Sequence, residues 1–172
     1  MSPYEWKGID DLYKETYNDE NSLYIDGSMG VCYSASVRYN RGIESGAELL
    51  QKLRSGEYEL TEGETIKIVG YSMGGAYAAG MAYALMQDPE YAHLLQFVDY
   101  LAPNQPKGFS HPNGVLGRQF VSSRDWIASN FKIENVTLKD GNFGIIGHFF
   151  EDGLYDFLLD YLNSGGKITV IQ

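Results

Sequence analysis

Residues 65–86 read TIKIVGYSMGGAYAAGMAYALM, and this stretch holds a complete strand, turn and helix. Thr65–Val69 is rich in β-branched side chains, which fit a pleated, half-buried surface, so it predicts a strand. Gly70-Tyr71-Ser72-Met73-Gly74-Gly75 follows at once and is turn material. From there to Met86 alanine and other small apolar residues dominate on most faces. That pattern predicts a helix packed against a sheet and covered by neighbours. A strand that runs straight into a long helix belongs to a crossover unit, and crossovers build parallel sheets.

Working outward, Ser22–Asp26 (SLYID) predicts an earlier strand that ends in Gly27-Ser28-Met29-Gly30. Ala35, Tyr39, Ile43, Gly46, Ala47, Leu50 and Leu53 recur at spacings of three and four, which predicts a helix with one inner face. Ser55-Gly56 stops it, the glycine serving as a left-handed cap. Leu94–Leu101 and Arg118–Ser122 predict further strands, with a Pro- and Gly-rich loop over 103–117 between them. Asn135–Leu138 is another strand candidate, Leu154–Leu162 an amphipathic helix closed by Gly165-Gly166, and Ile168–Ile171 an edge strand. The sum is an α/β chain with three α/β/α layers and a mostly parallel sheet of five or six strands. Residues 1–172 form one domain, with 1–21 as an N-terminal extension.

The 172 residues carry 13 Lys and Arg against 23 Asp and Glu, a formal charge of -10. Nucleic-acid binding through backbone phosphates needs a cationic surface, so that class is excluded. Attraction to anionic membranes is disfavoured for the same reason, while a strongly basic partner is admitted. The single cysteine, Cys32, makes no intrachain disulfide and no thiolate cluster. The N-terminus lacks a secretory signal, and no apolar run approaches the length needed to cross a bilayer. A cytoplasmic location is the default expectation. Export as a domain of a larger protein is the alternative.

The chemistry points to Gly70-Tyr71-Ser72-Met73-Gly74, which fits G-x-S-x-G in the strand-to-helix context that motif requires. Gly70 and Gly74 let the backbone close around Ser72, whose hydroxyl is the candidate nucleophile. The Met73 N–H points to where an oxyanion would form, helped by the start of the helix. A serine needs a base, and the chain has three histidines. His148, late in the chain and just before the last helix, is the preferred one. His111 lies in the Pro/Gly-rich loop on the same side of the sheet, and His93 lies at the opposite end. Asp125, just past the Arg118–Ser122 strand, is the preferred acid, with Asp99 the runner-up. Asp140 and Asp152 look like turn or cap residues. The second oxyanion donor is placed at the Ser28 or Met29 N–H.

These residues resemble the serine hydrolases of the α/β-hydrolase fold, in their lipase-like branch, including the class 3 lipases. The resemblance covers about 22–162 and rests on IKIVGYSMGGAYAAGMAYAL (66–85), YLAPNQPKGF (100–109), FVSSRDWIAS (120–129) and GHFF (147–150). It implies a Ser72-His148-Asp125 triad and an esterase or lipase working through an acyl-enzyme on ester or lipid substrates. It implies no metal or organic cofactor. It also implies transient contact with lipid. A further likeness is to the lipase-like domains of bacterial polymorphic or secreted toxins, which would bring an immunity protein or a parent protein as partner. The rivals are a thioesterase or peptidase using the same triad, and an inactive binding module on the same fold.

Overall fold

β-branched and aromatic runs supply the strands and longer stretches of helical spacing supply the helices, with helix and strand alternating from Ala35 to Leu101. The elements are α1 (Ile9–Tyr17), α2 (Ala35–Ser55), β1 (Ile66–Tyr71), α3 (Gly74–Met86), β2 (Leu95–Leu101), β3 (Leu116–Ser122), β4 (Thr137–Gly141) and α4 (Leu154–Asn163). The computed structural model describes residues 6, 8–19, 21–27, 34–122, 132–141 and 154–164.

Among the described residues the sheet has four strands in the order β1-β2-β3-β4. Every neighbouring pair is parallel, with Ile68 opposite Val98, Asp99 opposite Arg118 and Phe120 opposite Lys139. All carboxyl ends therefore point the same way. This corrects the expected sheet of five or six strands. Ser22–Asp26 forms no strand, and Leu23 and Ile25 are left exposed. An alternating five-residue run supplies strand propensity, but ladder bonds with a distant partner decide whether it pairs. The edge strand expected at Ile168–Ile171 lies outside the described residues.

Three layers result, and β2 sits at their centre. Phe97 and Leu101 face α1 and α4, packing with Ile9, Leu12, Phe120, Leu154, Leu158 and Tyr161. Val98 and Tyr100 point the other way, into a cluster with Leu50, Ala78, Ala79, Ala82 and Leu85. This strict alternation buries both faces of one strand, as a covered parallel sheet requires.

α2 and α3 approach closely because glycines line their seam. A Cβ on Gly42 would collide with the Tyr77 carbonyl, and one on Gly80 with the Tyr39 carbonyl. A Cβ on Gly46 would come within 2.7 Å of the Ala84 methyl. The buried face of α2 is Ala35, Arg38, Gly42, Gly46 and Leu50. The face expected from sequence is thus rotated, and Ala47 is exposed. Ser34 caps the helix N-terminus through its hydroxyl, and Gly56 closes the other end at φ 74°.

The α1 face also holds a polar cluster. Arg118 Nε and Nη2 donate to Asp99 Oδ1 and Oδ2 at 2.6 and 2.7 Å. The Tyr13 hydroxyl donates to Oδ2 at 2.6 Å, and Arg118 Nη2 reaches the Tyr17 hydroxyl at 3.3 Å. Asp99, the runner-up acid, is therefore a buried structural carboxylate that fastens α1 to the sheet.

Among the described residues no helix is long and apolar enough to cross a membrane.

Candidate functional site

Ligands of open parallel sheets gather beyond the carboxyl ends of the strands. Three non-glycine residues at that end adopt left-handed backbone: Ser72 at φ 50°, Ala102 at φ 43° and Gln105 at φ 53°. Such conformations are costly for residues with a Cβ and persist where the surroundings enforce them.

The bonds that enforce them are continuous. Ser72 N donates to Leu101 O at 2.9 Å, while Ser72 O accepts from Gly75 N at 3.1 Å and from Asn104 N at 3.0 Å. Ala102 N donates to Phe120 O at 2.8 Å. The turn after β1 is thus laced to the turn after β2, which is laced to β3. Gly70 is required here, because a Cβ would lie 2.7 Å from the Ala78 methyl and 2.8 Å from the Gly74 carbonyl. Gly74 is different, since among the described residues nothing lies within 4 Å of a Cβ at that position.

Gln105 extends the lacing to α2. Its Oε1 accepts from Ala35 N at 2.8 Å and from Arg38 Nη2 at 3.3 Å. Arg38 is 1% exposed, and burial lowers its guanidinium from the ordinary value. Gly27, also buried, packs on the start of α3, where a Cβ would come within 2.9 Å of Tyr77 Cβ and 3.3 Å of Gly74 Cα. Gln105 and Arg38 were missed in the sequence. The left-handed Gln105 before Pro106 had a local signal in the Pro103-Asn104-Gln105-Pro106 turn, whereas Arg38 lies at a helical position that its residue type argues should be exposed.

The sequence-derived site residues fall into two groups. Ser72, Met73, Gly70 and Gly74 come together at the β1–α3 turn, all in described structure. Ser28, Met29, Asp125, His148 and Asp152 lie outside the described residues. Of the remaining candidates, His93 is exposed in the 3₁₀ turn Ala92–Leu94 at the amino end of β2, and Asp140 falls within β4. His111 is buried, with Nδ1 2.8 Å from the Tyr100 hydroxyl and Nε2 3.0 Å from the Val115 carbonyl. Both ring nitrogens are engaged there, so His111 is not a base for Ser72.

Among the described residues, then, no Ser-His-Asp triad is assembled, and no group of three or more His, Cys, Asp or Glu could hold a metal. No protein-family model matches the chain. No curated protein matches it either. The lipase-like resemblance, the α/β-hydrolase fold with five or six strands, and the esterase, lipase and serine-hydrolase assignments are corrected on these grounds. A tight serine turn between strand and helix is also a local solution to chain reversal, and among the described residues no histidine stands as a base for Ser72.

Proposed function

We propose that the chain is a small-ligand binding module whose binding face is the carboxyl end of the sheet around Ser72, Met73 and Gly74. The observation that carries this reading is the set of left-handed residues Ser72, Ala102 and Gln105 in the turns after β1 and β2, two turns laced by the Ser72 N–Leu101 O and Asn104 N–Ser72 O bonds. Left-handed residues with side chains cluster where a site needs a fixed backbone. Ser72 N and Gly75 N are used internally, whereas the N–H groups of Met73 and Gly74, at the start of α3, are of the kind a helix start leaves without an intrahelical acceptor. They suit a ligand that offers a carbonyl or carboxylate oxygen. The charge of -10 disfavours polyanions.

Gly74 makes the reading testable. Among the described residues a methyl added there meets nothing within 4 Å and would sit over the turn without disturbing the core. N-acetylleucine and its amide, titrated into 15N-labelled protein, are expected to shift the Met73 and Gly74 amides first. Gly74→Ala is expected to weaken that response at least tenfold while keeping the melting temperature. Shifts centred elsewhere, or an unchanged titration in Gly74→Ala, would overturn the assignment.

A further inference from the structure

The connection from β2 to β3, residues 102–115, borders the proposed binding face and is fastened at three places. Near its start Ala102 N and Asn104 N bond to Phe120 O and Ser72 O at 2.8 and 3.0 Å. In its middle Gln105 holds the start of α2, and Gly108 packs so tightly on Ala35 that a Cβ would lie 2.6 Å from the Ala35 methyl. Near its end His111 is buried between Tyr100 and Val115, with its ring against Gly117, where a Cβ would come within 2.6 Å of Nε2.

The bonds fix where the protons are. A carbonyl only accepts, so Nε2 carries the hydrogen that meets Val115 O. In the neutral ring Nδ1 is then the acceptor, and the Tyr100 hydroxyl donates to it. A second proton on Nδ1 would face that hydroxyl hydrogen. The hydroxyl would have to turn, and its hydrogen would lose its partner at a residue that is fully buried.

Among the described residues no charged group near the ring would receive the imidazolium. β2 offers Tyr100, held uncharged by burial, and beyond it Asp99, which lies on the opposite face of the strand and is bound by Arg118. α2 offers Tyr39, which couples to Tyr100. β3 presents Gly117. The adjoining segment contributes the Glu134 carbonyl, which accepts from His111 N at 3.4 Å, while the Glu134 side chain is exposed. Burial accordingly pulls the His111 imidazole below its ordinary range, with the Val115 carbonyl opposing it in part.

We propose that His111 is a proton-operated latch on the 102–115 connection. Neutral, it pins the end of the connection to β2 and β3. On taking up a proton it leaves its slot, and the connection lifts from Ser72 and from the start of α2. The latch stands on its own geometry, whereas its effect on ligand binding rests on the proposed carboxyl-end face.

Amide hydrogen exchange on the ligand-free full chain tests the latch alone. Between pH 7.5 and 5, after correction for intrinsic rates, protection at Asn104, Gly108 and His111 is expected to fall by up to about tenfold per pH unit once the imidazole binds its proton. The α3 amides of Ala79–Leu85 are expected to keep theirs. His111→Gln, whose amide can accept from Tyr100 and donate to Val115 without titrating, is expected to flatten the response. Equal loss in α3 and the connection would mean global unfolding and would overturn the latch. Retained protection while the imidazole signal titrates would do so too, as would the same pH response in His111→Gln. The wild-type comparison of the two regions decides the matter even if the variant folds poorly.

Discussion

Arg118 and Asp99 face each other across the β2–β3 ladder and are joined by two parallel charge-assisted hydrogen bonds, with Tyr13 from α1 adding a third to the carboxylate. The guanidinium also lies 4.3 Å above the Phe97 ring. Burial alone would lower the Arg118 guanidinium, but the Asp99 carboxylate reverses this and holds it above its ordinary value. Replacing one partner leaves the other charge buried and unpaired, which costs about 3–5 kcal/mol. Arg118→Met is therefore expected to lower unfolding free energy in urea by that amount, a large share of what a domain of this size possesses. The double variant Asp99→Leu/Arg118→Met removes both charges and is expected to recover much of the loss. If the double variant is no more stable than the single one, the pair is not the source of the cost.

Tyr13 gives a gentler probe of the same cluster. Tyr13→Phe keeps the ring, which packs 6.2 Å from Phe97, and removes only the hydroxyl bond to Asp99. Loss of a hydrogen bond to a charged group costs about 1.5–3 kcal/mol. Because Tyr13 links α1 to the Asp99 carboxylate, amide exchange should accelerate in Ile9–Tyr17 before it does in β2. Uniform acceleration across both elements would show that α1 is not separately fastened.

The α2–α3 seam sets opposite expectations for two glycines on one helix. Gly80→Ala drives a methyl into the Tyr39 carbonyl, which belongs to the backbone of α2 and cannot rotate away. Overpacking of this kind costs about 1–3 kcal/mol, more than the roughly 1 kcal/mol that alanine gains over glycine inside a helix. Among the described residues Gly74→Ala meets nothing within 4 Å, and it is expected to be neutral or mildly stabilising. Thermal melts of the two variants beside the wild type check the contrast, which fails if Gly80→Ala melts at or above Gly74→Ala.

The sequence makes the elements legible where local chemistry decides them. TIKIV and LLQFVDYL give β1 and β2 because β-branched and aromatic runs suit a covered strand, and Gly56 marks the end of α2 through its left-handed backbone. The turn at Ser72 is equally local. What stays hidden is long-range pairing. Asp99 reads as a candidate acid because nothing near it in sequence announces Arg118 or Tyr13, 86 residues away. His111 reads as a loop histidine because its slot is made by Tyr100 and Gly117, which only the sheet brings together. Ser22–Asp26 reads as a strand because alternation registers propensity, not the presence of a ladder partner.

Ser72 stands in left-handed backbone at φ 50°, where a Cβ costs about 1–2 kcal/mol. Ser72→Gly removes that strain and adds about 0.5–1 kcal/mol of chain entropy to be lost on folding. The balance is a gain of roughly 0–1.5 kcal/mol. Ser72→Val puts a β-branched side chain at the same position and is expected to lose stability. A ranking of Gly at or above Ser above Val in urea unfolding is the expected order. Val matching Ser would mean that the turn can relax out of the left-handed region.

Glu64 ties the segment before β1 to the strap at Asn21, and this gives a prediction in pH. Asn21 Nδ2 donates to Glu64 Oε1 at 2.9 Å, and Thr61 N and Oγ1 donate to Oε2 at 2.8 and 3.0 Å. The bond from Asn21 first, and those from Thr61 after it, hold the carboxyl below its ordinary value of 4.5 in the folded chain. Above that value both states are ionised and the full contribution is present. As pH falls through the window between 4.5 and the lower folded value, the unfolded chain takes up the proton first, so stability drops with acid. Glu64→Gln replaces the two-oxygen acceptor with a single one and an amide that must donate. It is expected to melt below the wild type at pH 7, with the gap narrowing once the pH is taken below 4.5. A gap that is constant from pH 7 to pH 3 would show that the carboxylate's charge plays no part in holding Asn21 and Thr61.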